Sequence, residues 1–325
     1  MQANKLMDTL AQYWPQILKL KERCKSIPDD VNIIGFNLST IVFFNDESEL
    51  AKAQNSQFDV LISTLVLRSI SCEPITIFNQ CLYLYFVTDM EHHLKTHLQL
   101  YIPLATINMH HRHRSFVVTH MAQSLDGKVC TISGTSKWIG NTENLKHAHR
   151  IRALVDGVIV GGNTARSENP SLNVRHVEGP NPARIILCNS SIALESLPDI
   201  TNMRNFLLCK KDCVEDIDSD SISLTHLKII TYSGDEQGQA ISCALANLRK
   251  ENVTSILLEG GPTTIKAFMQ SNAIDWLQLH TAPLIFGSGH SFVSLPEITE
   301  VNQAKKLSNV VYTQMGDAMV VTGQL

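Results

Sequence analysis

From Ser115 onwards, short runs of apolar and β-branched residues alternate with segments whose apolar residues recur at helical spacing. Runs this apolar are typical of strands covered on both faces, and their alternation with helices predicts a mostly parallel sheet flanked by helices. The last strand-like runs follow one another directly, which predicts an antiparallel edge. The strand-like runs are SFVVTHMA, GVIVGG, RIILC, NFLLC, LKIITY, SILLE, WLQLHTAPLIFG, NVVYTQ and AMVVTG, and the helix-like segments are ENLKHAHRIRALV, AISCALANLRKEN and TTIKAFMQSN. We therefore predict an α/β fold with a mixed, mostly parallel sheet.

The N-terminal part has a different pattern. Residues 3–25 carry apolar side chains at intervals of three and four, which predicts a helix. Four strand-like runs follow, VNIIGF, STIVFF, DVLISTLVL and PITIFNQCLYLYFV. The polar segment INMHHRHRS, residues 107–115, then predicts a turn and a domain boundary. We expect a smaller α+β region over residues 1–112, in which no motif indicates a chemistry, and a larger domain over residues 113–325.

The histidines of the boundary segment are a candidate metal site. His110, His111 and His113 point in divergent directions at this spacing, and no cysteine or acidic residue is clustered with them. The eight cysteines of the chain are scattered and form no paired CxxC block. We therefore predict no metal site.

Composition narrows the class of partner. The formal net charge is −4, which gives no electrostatic basis for binding nucleic acid. The N-terminus MQANKLMDTLAQYWPQ lacks the basic and apolar regions of a signal peptide, and no apolar window is long enough for a membrane span. We expect a cytoplasmic protein whose partners are small molecules or proteins, with neither nucleic acid nor membrane as a partner.

Two segments share one design, an apolar strand, a glycine pair and a threonine-rich helix start. They are GVIVGGNTAR at 157–166 and SILLEGGPTTIKAF at 255–268. Glycine allows close backbone approach to a ligand, and the free N–H groups of a helix start bind anions such as a diphosphate. In the second segment, Glu259 ends the strand, where its carboxylate can face a ligand. The alternatives are a tight turn without a ligand and an acid that complements the helix dipole.

The segment ARSENPSLNVR, residues 165–175, is polar and interrupted by proline, so we predict that it forms a loop rather than continuing a helix. It carries Glu168 and Arg175, and Arg152 ends the preceding predicted helix. Because guanidinium groups bind phosphate in bidentate fashion, two arginines near glycine turns indicate a phosphorylated substrate. Solvated surface arginines are the alternative.

A third segment, MAQSLDGKVCTISGTSKWIG at 121–140, places Lys128, Ser136 and Trp138 after the end of a strand. Trp138 lies among small residues, where its ring can stack on a flat ligand or pack in the core.

Residues from about 115 to 322 resemble the reductase domain of RibD-type riboflavin-biosynthesis proteins, of the dihydrofolate reductase-like superfamily. The resemblance rests on QSLDGKV, SGTSKWIG, IRALVDGVIVGGNTARSENPSLNVR, LLEGGPTTIKAF and HTAPLIFGSG. It implies a dihydrofolate reductase-like fold, a homodimer and an NADPH-dependent reduction of the ribose side chain of 5-amino-6-(5-phosphoribosylamino)uracil. NADPH comes from the family alone, since no residue identified here contacts a 2′-phosphate.

The resemblance also implies roles for individual residues. The residues implied to hold the phosphoribosyl substrate are Ser136, Arg152, Leu172, Arg175 and Glu259. The residues implied to hold the nucleotide are Trp138, Thr164, Glu168, Gly260, Gly261, Pro262, Thr263 and Thr264. Reduction requires the nicotinamide carbon close to an electrophilic ribose carbon, so the protein mainly positions two anionic ligands. Our hypothesis is that the ribose opens to an imine and that Lys128 or Glu259 orients or protonates the sugar oxygen.

The chain departs from the family pattern in two ways. Glu168-Asn169-Pro170 stands where the family has Asp-Asp-Pro, and Asn189-Ser190 where it has Asp-Ser, so a related pyrimidine or pteridine reductase and a non-catalytic nucleotide-binding protein remain alternatives. Residues 1–110 contain neither the H-x-E nor the P-C-x-x-C-like block of the family's zinc deaminase half. We predict no zinc and no deaminase activity for this region.

Overall fold

The structure is a computed structural model that describes residues 2–28, 30–53, 57–64, 67, 72, 75–77, 82–110, 113–137, 139–188, 203–213, 227–234 and 237–325. Among these residues, none of the helices combines the length and the apolar character that crossing a bilayer requires.

The N-terminal region contains helices around a small antiparallel sheet. Its elements are α1 (Gln2–Cys24), β1 (Ile33–Phe36), β2 (Ile41–Phe44), α2 (Glu47–Lys52), β3 (Val60–Ser63), β4 (Ile75–Ile77), β5 (Leu82–Phe86), α3 (His92–Ala105) and α4 (Ile107–His110). The strand order is β2-β1-β3-β5-β4, and every pairing is antiparallel. The predicted N-terminal helix is confirmed, because its regularly spaced apolar residues form one buried stripe that includes Leu10, Trp14, Ile17 and Leu20.

The larger part of the chain builds a second sheet. Its elements are β6 (Phe116–Gln123), β7 (Lys128–Cys130), α5 (Thr142–Leu154), β8 (Gly157–Gly161), α6 (Gly162–Glu168), β9 (Ala183–Cys188), β10 (Asn205–Lys210), β11 (Leu227–Tyr232), α7 (Gln237–Lys250), β12 (Ser255–Leu258), α8 (Pro262–Gln270), β13 (Trp276–Thr281), β14 (His290–Ser291), β15 (Ser308–Met315) and β16 (Ala318–Gln324). The strand order is β11-β10-β9-β8-β12-β6-β13-β16-β15. In this order the seven strands from β11 to β13 are mutually parallel, whereas β16 and β15 pair antiparallel. The predicted α/β fold with an antiparallel edge is therefore confirmed.

The two faces of the large sheet are covered by different helices. Residues Val117, Ile159 and Leu258 point to one face and pack in a cluster with α7 and α8. The alternate residues of the same strands, among them Val118 and Leu257, pack on the other face with α5 and with α1 and α3 of the N-terminal region. One continuous core therefore joins the N-terminal helices to the large sheet.

Three local predictions need correction. The segment ARSENPSLNVR begins as helix, since α6 extends to Glu168 and ends at Asn169, whose φ of 42° is left-handed, directly before Pro170. The run WLQLHTAPLIFG forms a strand only as far as Thr281, because Pro283 has no N–H to continue the ladder. The predicted turn at the domain boundary contains the short helix α4, and residues 111–112 lie outside the described residues.

Candidate active site

The two glycine turns lie side by side at the carboxyl edge of the large sheet. Strands β8 and β12 are parallel neighbours, and each ends at one of the turns. A Cβ atom on Gly161 would lie 2.7 Å from Oγ1 of Thr264, and a Cβ atom on Gly261 would lie 3.9 Å from Oγ1 of Thr164. Each turn thus faces a threonine of the other, which makes them a single surface at a position where open α/β sheets bind ligands.

Both helices that follow these turns begin without a side-chain cap. The N-cap residues are Gly161 for α6 and Gly261 for α8, and neither has a side chain to accept from the first-turn N–H groups. Pro262 opens the nine-residue helix α8, and Pro262 and Thr263 are exposed. The start of α8 therefore offers backbone donors and a positive dipole end to an anion.

Arg152 and Glu259, both identified from the sequence, form a bidentate ion pair. Nε of Arg152 lies 2.6 Å from Oε1 of Glu259, and Nη2 lies 2.7 Å from Oε2. The two side chains are 13% and 20% exposed. Burial acts to lower the pKa of Arg152, but the Glu259 carboxylate outweighs it and raises that pKa. The pair holds a fixed carboxylate directly before the second glycine turn.

Arg152 also connects this pair to the loop after α6. Its Nη1 donates to the backbone oxygen of Asn173 over 3.1 Å. In the same loop, Nη1 of Arg175 donates to Oδ1 of Asn173 over 3.0 Å, and the Arg175 side chain is exposed. The structure therefore brings Arg152, Glu259 and the loop of Arg175 together, and the binding roles that the resemblance implies for them stay predictions.

Leu172 and Glu168, both predicted ligand contacts, differ in their exposure. Leu172 has a left-handed φ of 50° and is only 2% exposed, so its side chain packs in the core. Glu168 ends α6 and is exposed. Their predicted binding roles stay predictions.

The segment after β6 is less closely tied to this site. Lys128 lies on β7, and its Nζ donates to Oγ of Ser291 on β14 over 3.3 Å. Ser136 is exposed in the following loop. Trp138 lies outside the described residues, as do Asn189 and Ser190. The structure directs the Lys128 ammonium towards Ser291, and its catalytic role stays a prediction.

Two histidines at the site were not singled out by the sequence analysis. His149 lies on α5, and its Nδ1 accepts from the backbone N–H of Arg175 over 3.1 Å. Burial first, and then the nearby charges of Arg152, Arg175 and His176, lower the pKa of His149 to about 3. The imidazole is therefore neutral, so it fixes the Arg175 backbone without a charge of its own. A histidine one turn before Arg152 on the same helix was the available signal.

The second histidine that the sequence analysis did not single out is His120. It follows Thr119, which pairs with Leu258, so it lies beside the end of β12 where Glu259 begins the turn. Its Nε2 is 2.9 Å from Oδ1 of Asn144, and burial above all lowers its pKa to about 3. A histidine within the otherwise apolar strand FVVTHMA is the signal that could have identified it.

Comparison with known proteins identifies the family. The profile of the RibD C-terminal domain matches residues 115–321. The riboflavin biosynthesis protein RibD of Aquifex aeolicus is 27% identical over 212 residues, a match that covers 64% of this chain and 57% of that protein. The 2,5-diamino-6-ribosylamino-4(3H)-pyrimidinone 5′-phosphate reductase of the same organism is 28% identical over 217 residues, covering 65% of this chain and 94% of that protein. This chain therefore matches little more than half of the first relative and almost all of the second.

A solved structure extends the likeness in fold beyond this domain. Acinetobacter baumannii RibD in its second crystal form superposes with a TM-score of 0.54 at 16% identity, covering 97% of this chain and 99% of that chain. At this identity the match shows the fold alone, and it includes the N-terminal region. The family profile, the ordered motifs and the sheet agree, and the chain belongs to the RibD C-terminal domain family.

Proposed function

We propose that this protein is an NADPH-dependent reductase of riboflavin biosynthesis that reduces the ribose side chain of a phosphoribosylamino-pyrimidine. The observation that carries the proposal is the junction of the Arg152–Glu259 ion pair with the Arg175 loop beside the paired glycine turns. This junction offers one surface for a nucleotide diphosphate and an adjacent one for a sugar phosphate. The name of one relative gives the same pathway, riboflavin biosynthesis, and the name of the other gives the same reaction class, reduction of a ribosylamino-pyrimidinone phosphate.

The residues present fit a nicotinamide dinucleotide. Gly261 leaves the start of α8 uncapped, and a Cβ atom there would have ordinary contact distance to Thr164, so the turn has room above its backbone. Gly161, Thr164 and Thr264 form the neighbouring wall. We assign the diphosphate to this surface because backbone donors and threonine hydroxyls suit an anion. The bound cofactor supplies a hydride to the substrate.

The substrate phosphate is assigned to Arg175. Its side chain is exposed and its backbone is held by His149, so the guanidinium is available while its base is fixed. After the bonds to Glu259 and Asn173, Arg152 retains one N–H on each terminal nitrogen for a further acceptor. Arginines of this kind bind phosphate through two parallel hydrogen bonds.

Glu259 is assigned to the sugar. Reduction of the ring-opened ribosylamine adds one hydride and one proton, and the product is the ribitylamine. The Arg152 guanidinium fixes the direction of the Glu259 carboxylate, which can accept from a sugar hydroxyl at the reacting end of the substrate. Lys128 remains the proposed proton donor, which requires its ammonium to leave Ser291.

Two pyrimidines fit this assignment. One is 5-amino-6-(5-phosphoribosylamino)uracil, which the resemblance implies, and the other is the diamino-pyrimidinone phosphate named for the relative that is matched over 94% of its length. They differ at one ring substituent, away from the phosphate and the ribose. We propose the uracil as substrate, and the assay below includes both.

The experiment is steady-state oxidation of NADPH with each pyrimidine, for the wild type, Arg175→Ala and Arg166→Ala. Arg166 is an exposed arginine of α6 bonded to Asn163 of the same helix, so it is a matched control. Loss of a charged hydrogen bond to phosphate corresponds to about 1.5–3 kcal/mol, so Arg175→Ala should raise the KM for the pyrimidine by about 10- to 100-fold and leave the KM for NADPH unchanged. An equal rise of both constants would refute the phosphate assignment. Binding of NADPH without turnover on either pyrimidine would instead favour a nucleotide-binding protein.

We infer further that the enzyme is a cytoplasmic homodimer whose N-terminal region is not a deaminase. The homodimer follows from the family resemblance, and the missing zinc motifs of residues 1–110 support the second statement. Sedimentation equilibrium tests the dimer. Stoichiometric zinc in the purified protein would contradict the inference that the N-terminal region is not a deaminase.

A further inference from the structure

The loop between α6 and β9, residues 169–182, carries Arg175 and is mostly exposed. Its first half is held by α5, because Arg152 donates to the backbone oxygen of Asn173 and His149 accepts from the backbone N–H of Arg175. These contacts belong to the site described above. A loop of this kind, with few buried apolar groups, depends on its polar anchors for a defined conformation.

The second half of the loop is held by the N-terminal region. Nε1 of Trp14 on α1 donates to the backbone oxygen of Glu178 over 2.8 Å. Leu18, one turn further along α1, reaches Gly179, where a Cβ atom would lie 3.5 Å from its Cδ2. The α1 helix therefore contacts two successive residues of the loop.

The two halves of the loop are joined across its base. The backbone N–H of Val174 donates to Oδ1 of Asn181 over 2.8 Å, so residues on both sides of Glu178 are connected directly. A shift of the segment 178–181 is therefore passed to Val174 and to its neighbour Arg175. The Trp14 contact acts on the predicted phosphate ligand through this short connection.

Trp14 has a fixed orientation. Its ring is 6% exposed and meets the ring of Tyr101 edge-on, with centroids 5.7 Å apart at 75°. The Arg150 guanidinium lies 5.8 Å from the same ring. The helix that carries Trp14 is itself attached to the large domain by the ion pair of Lys21 with Asp156, at 2.8 Å. The donor is thus held in place independently of the loop.

We propose that Trp14 is a positioning residue, which holds the loop 169–182 so that Arg175 meets the phosphate of the substrate. The N-terminal region thereby sets the affinity of the reductase domain for its phosphorylated substrate. This inference rests on the proposed function for the identity of the ligand. The geometry of the anchor is independent of it.

The test compares Trp14→Phe with Tyr13→Phe. The first variant keeps an aromatic ring and removes the N–H that reaches the loop. The second removes a hydrogen bond of the neighbouring residue, whose hydroxyl donates to Asp59 of the N-terminal region over 2.7 Å. Loss of one hydrogen bond should raise the KM for the phosphoribosyl pyrimidine by about 2- to 10-fold in Trp14→Phe, with kcat and the KM for NADPH unchanged. Tyr13→Phe should have the wild-type constants.

A double-mutant cycle separates positioning from general destabilisation. In the Arg175→Ala background, Trp14→Phe should have no further effect on the KM for the pyrimidine, because the group that Trp14 positions is gone. A fold increase equal to that in the wild-type background would overturn the proposal. A merely structural role for Trp14 gives that additive result.

Amide hydrogen exchange of residues 169–182 provides a measurement that needs no substrate. Trp14→Phe should exchange faster than wild type and Tyr13→Phe in this loop, and an unchanged loop would overturn the proposal whether or not the enzyme turns over. If the wild type oxidises no NADPH with either pyrimidine, the proposed function fails. Faster exchange in Trp14→Phe then still supports the anchor, and weaker binding of ribose 5-phosphate by this variant supports its role towards a phosphorylated sugar.

Discussion

Replacing Lys21 with Met removes the cation that pairs with Asp156 between α1 and the large sheet. Nζ of Lys21 lies 2.8 Å from Oδ1 of Asp156, and the side chains are 7% and 11% exposed. The other carboxylate oxygen of Asp156 accepts from the backbone N–H and hydroxyl groups of Thr254 and Ser255. After the substitution, Asp156 keeps these donors but carries an unpaired buried charge.

The magnitude follows from the pKa of Asp156 and from the general behaviour of buried ion pairs. Burial alone would raise this pKa, but the Lys21 ammonium and the Thr254 donors outweigh it and lower the pKa from 3.8 to about 2. At about 1.4 kcal/mol for each tenfold change in acidity, this difference corresponds to roughly 2 kcal/mol. Breaking a buried pair by removing one partner typically costs about 3–5 kcal/mol. Since Asp156 keeps its other donors, we expect Lys21→Met to lower the free energy of unfolding by about 3 kcal/mol.

Urea unfolding as a function of pH is the assay. The folded-state pKa of Asp156 lies below its unfolded value, so the stabilisation is present above about pH 4 and is lost as the pH falls through about 2. The difference between wild type and Lys21→Met should therefore be full at pH 7 and shrink below about pH 4. Lys25→Met is the control, because Lys25, the residue after the end of α1, pairs with Glu22 on the surface, with both side chains about half exposed, and should change stability by less than about 0.5 kcal/mol. A difference for Lys21→Met below about 1 kcal/mol, or one constant from pH 7 to pH 3, would refute the reasoning.

Three further predictions concern the site and the core beneath it. Arg152→Met leaves the partly buried Glu259 carboxylate unpaired, so it should lower the free energy of unfolding in urea by about 3 kcal/mol. It should also lower kcat/KM for the pyrimidine, and an unchanged kcat/KM would contradict the assignment of Arg152 and Glu259 to the substrate. Gly260→Ala places a Cβ atom 2.6 Å from a threonine side chain of α8, so it should lower the free energy of unfolding in urea by about 1–3 kcal/mol. Gly261→Ala has its nearest contact at 3.9 Å, so its free energy of unfolding should stay within about 0.5 kcal/mol of the wild-type value. Equal losses would show that the two turn positions are not packed as described. Burial holds the pKa of His147 well below 6.5, so below pH 6.5 the unfolded chain binds a proton that the folded protein does not, and the free energy of unfolding falls by up to about 1.4 kcal/mol per pH unit. His147→Gln should therefore lose less stability than wild type between pH 7 and pH 5. An identical loss would exclude His147 as the source of the pH dependence.

The secondary structure and the class of fold could be predicted from the sequence because their signals are local. Continuous apolar runs such as GVIVGG and SILLE indicate strands buried on both faces, and the structure has them as β8 and β12. The glycine pairs marked the ends of these strands correctly. The extent of α6 was predicted wrongly, since the polar residues ARSE do not by themselves show where a helix ends, whereas the left-handed Asn169 does.

The candidate site could be predicted only in part. Arg152 and Glu259 were identified one at a time, and their ion pair joins residues 107 positions apart. His149 and His120 carried no motif, and their neutrality depends on burial beneath the loop and the sheet edge. The Lys128 ammonium, for which our hypothesis gave a role at the sugar oxygen, faces Ser291 because β7 pairs with β14.

The sequence by itself determined the order of the nine strands of the large sheet and of α5, α7 and α8 along the chain, the two glycine turns and the family, since each depends on the periodicity or the motifs of a short stretch of chain. Only the tertiary structure decided that the two turns form one surface, that Glu259 is paired, and that α1 of the N-terminal region holds the Arg175 loop through Trp14. The physical reason is that these contacts join residues distant in sequence, and their directions depend on which strands become neighbours and on which face of the sheet each helix packs.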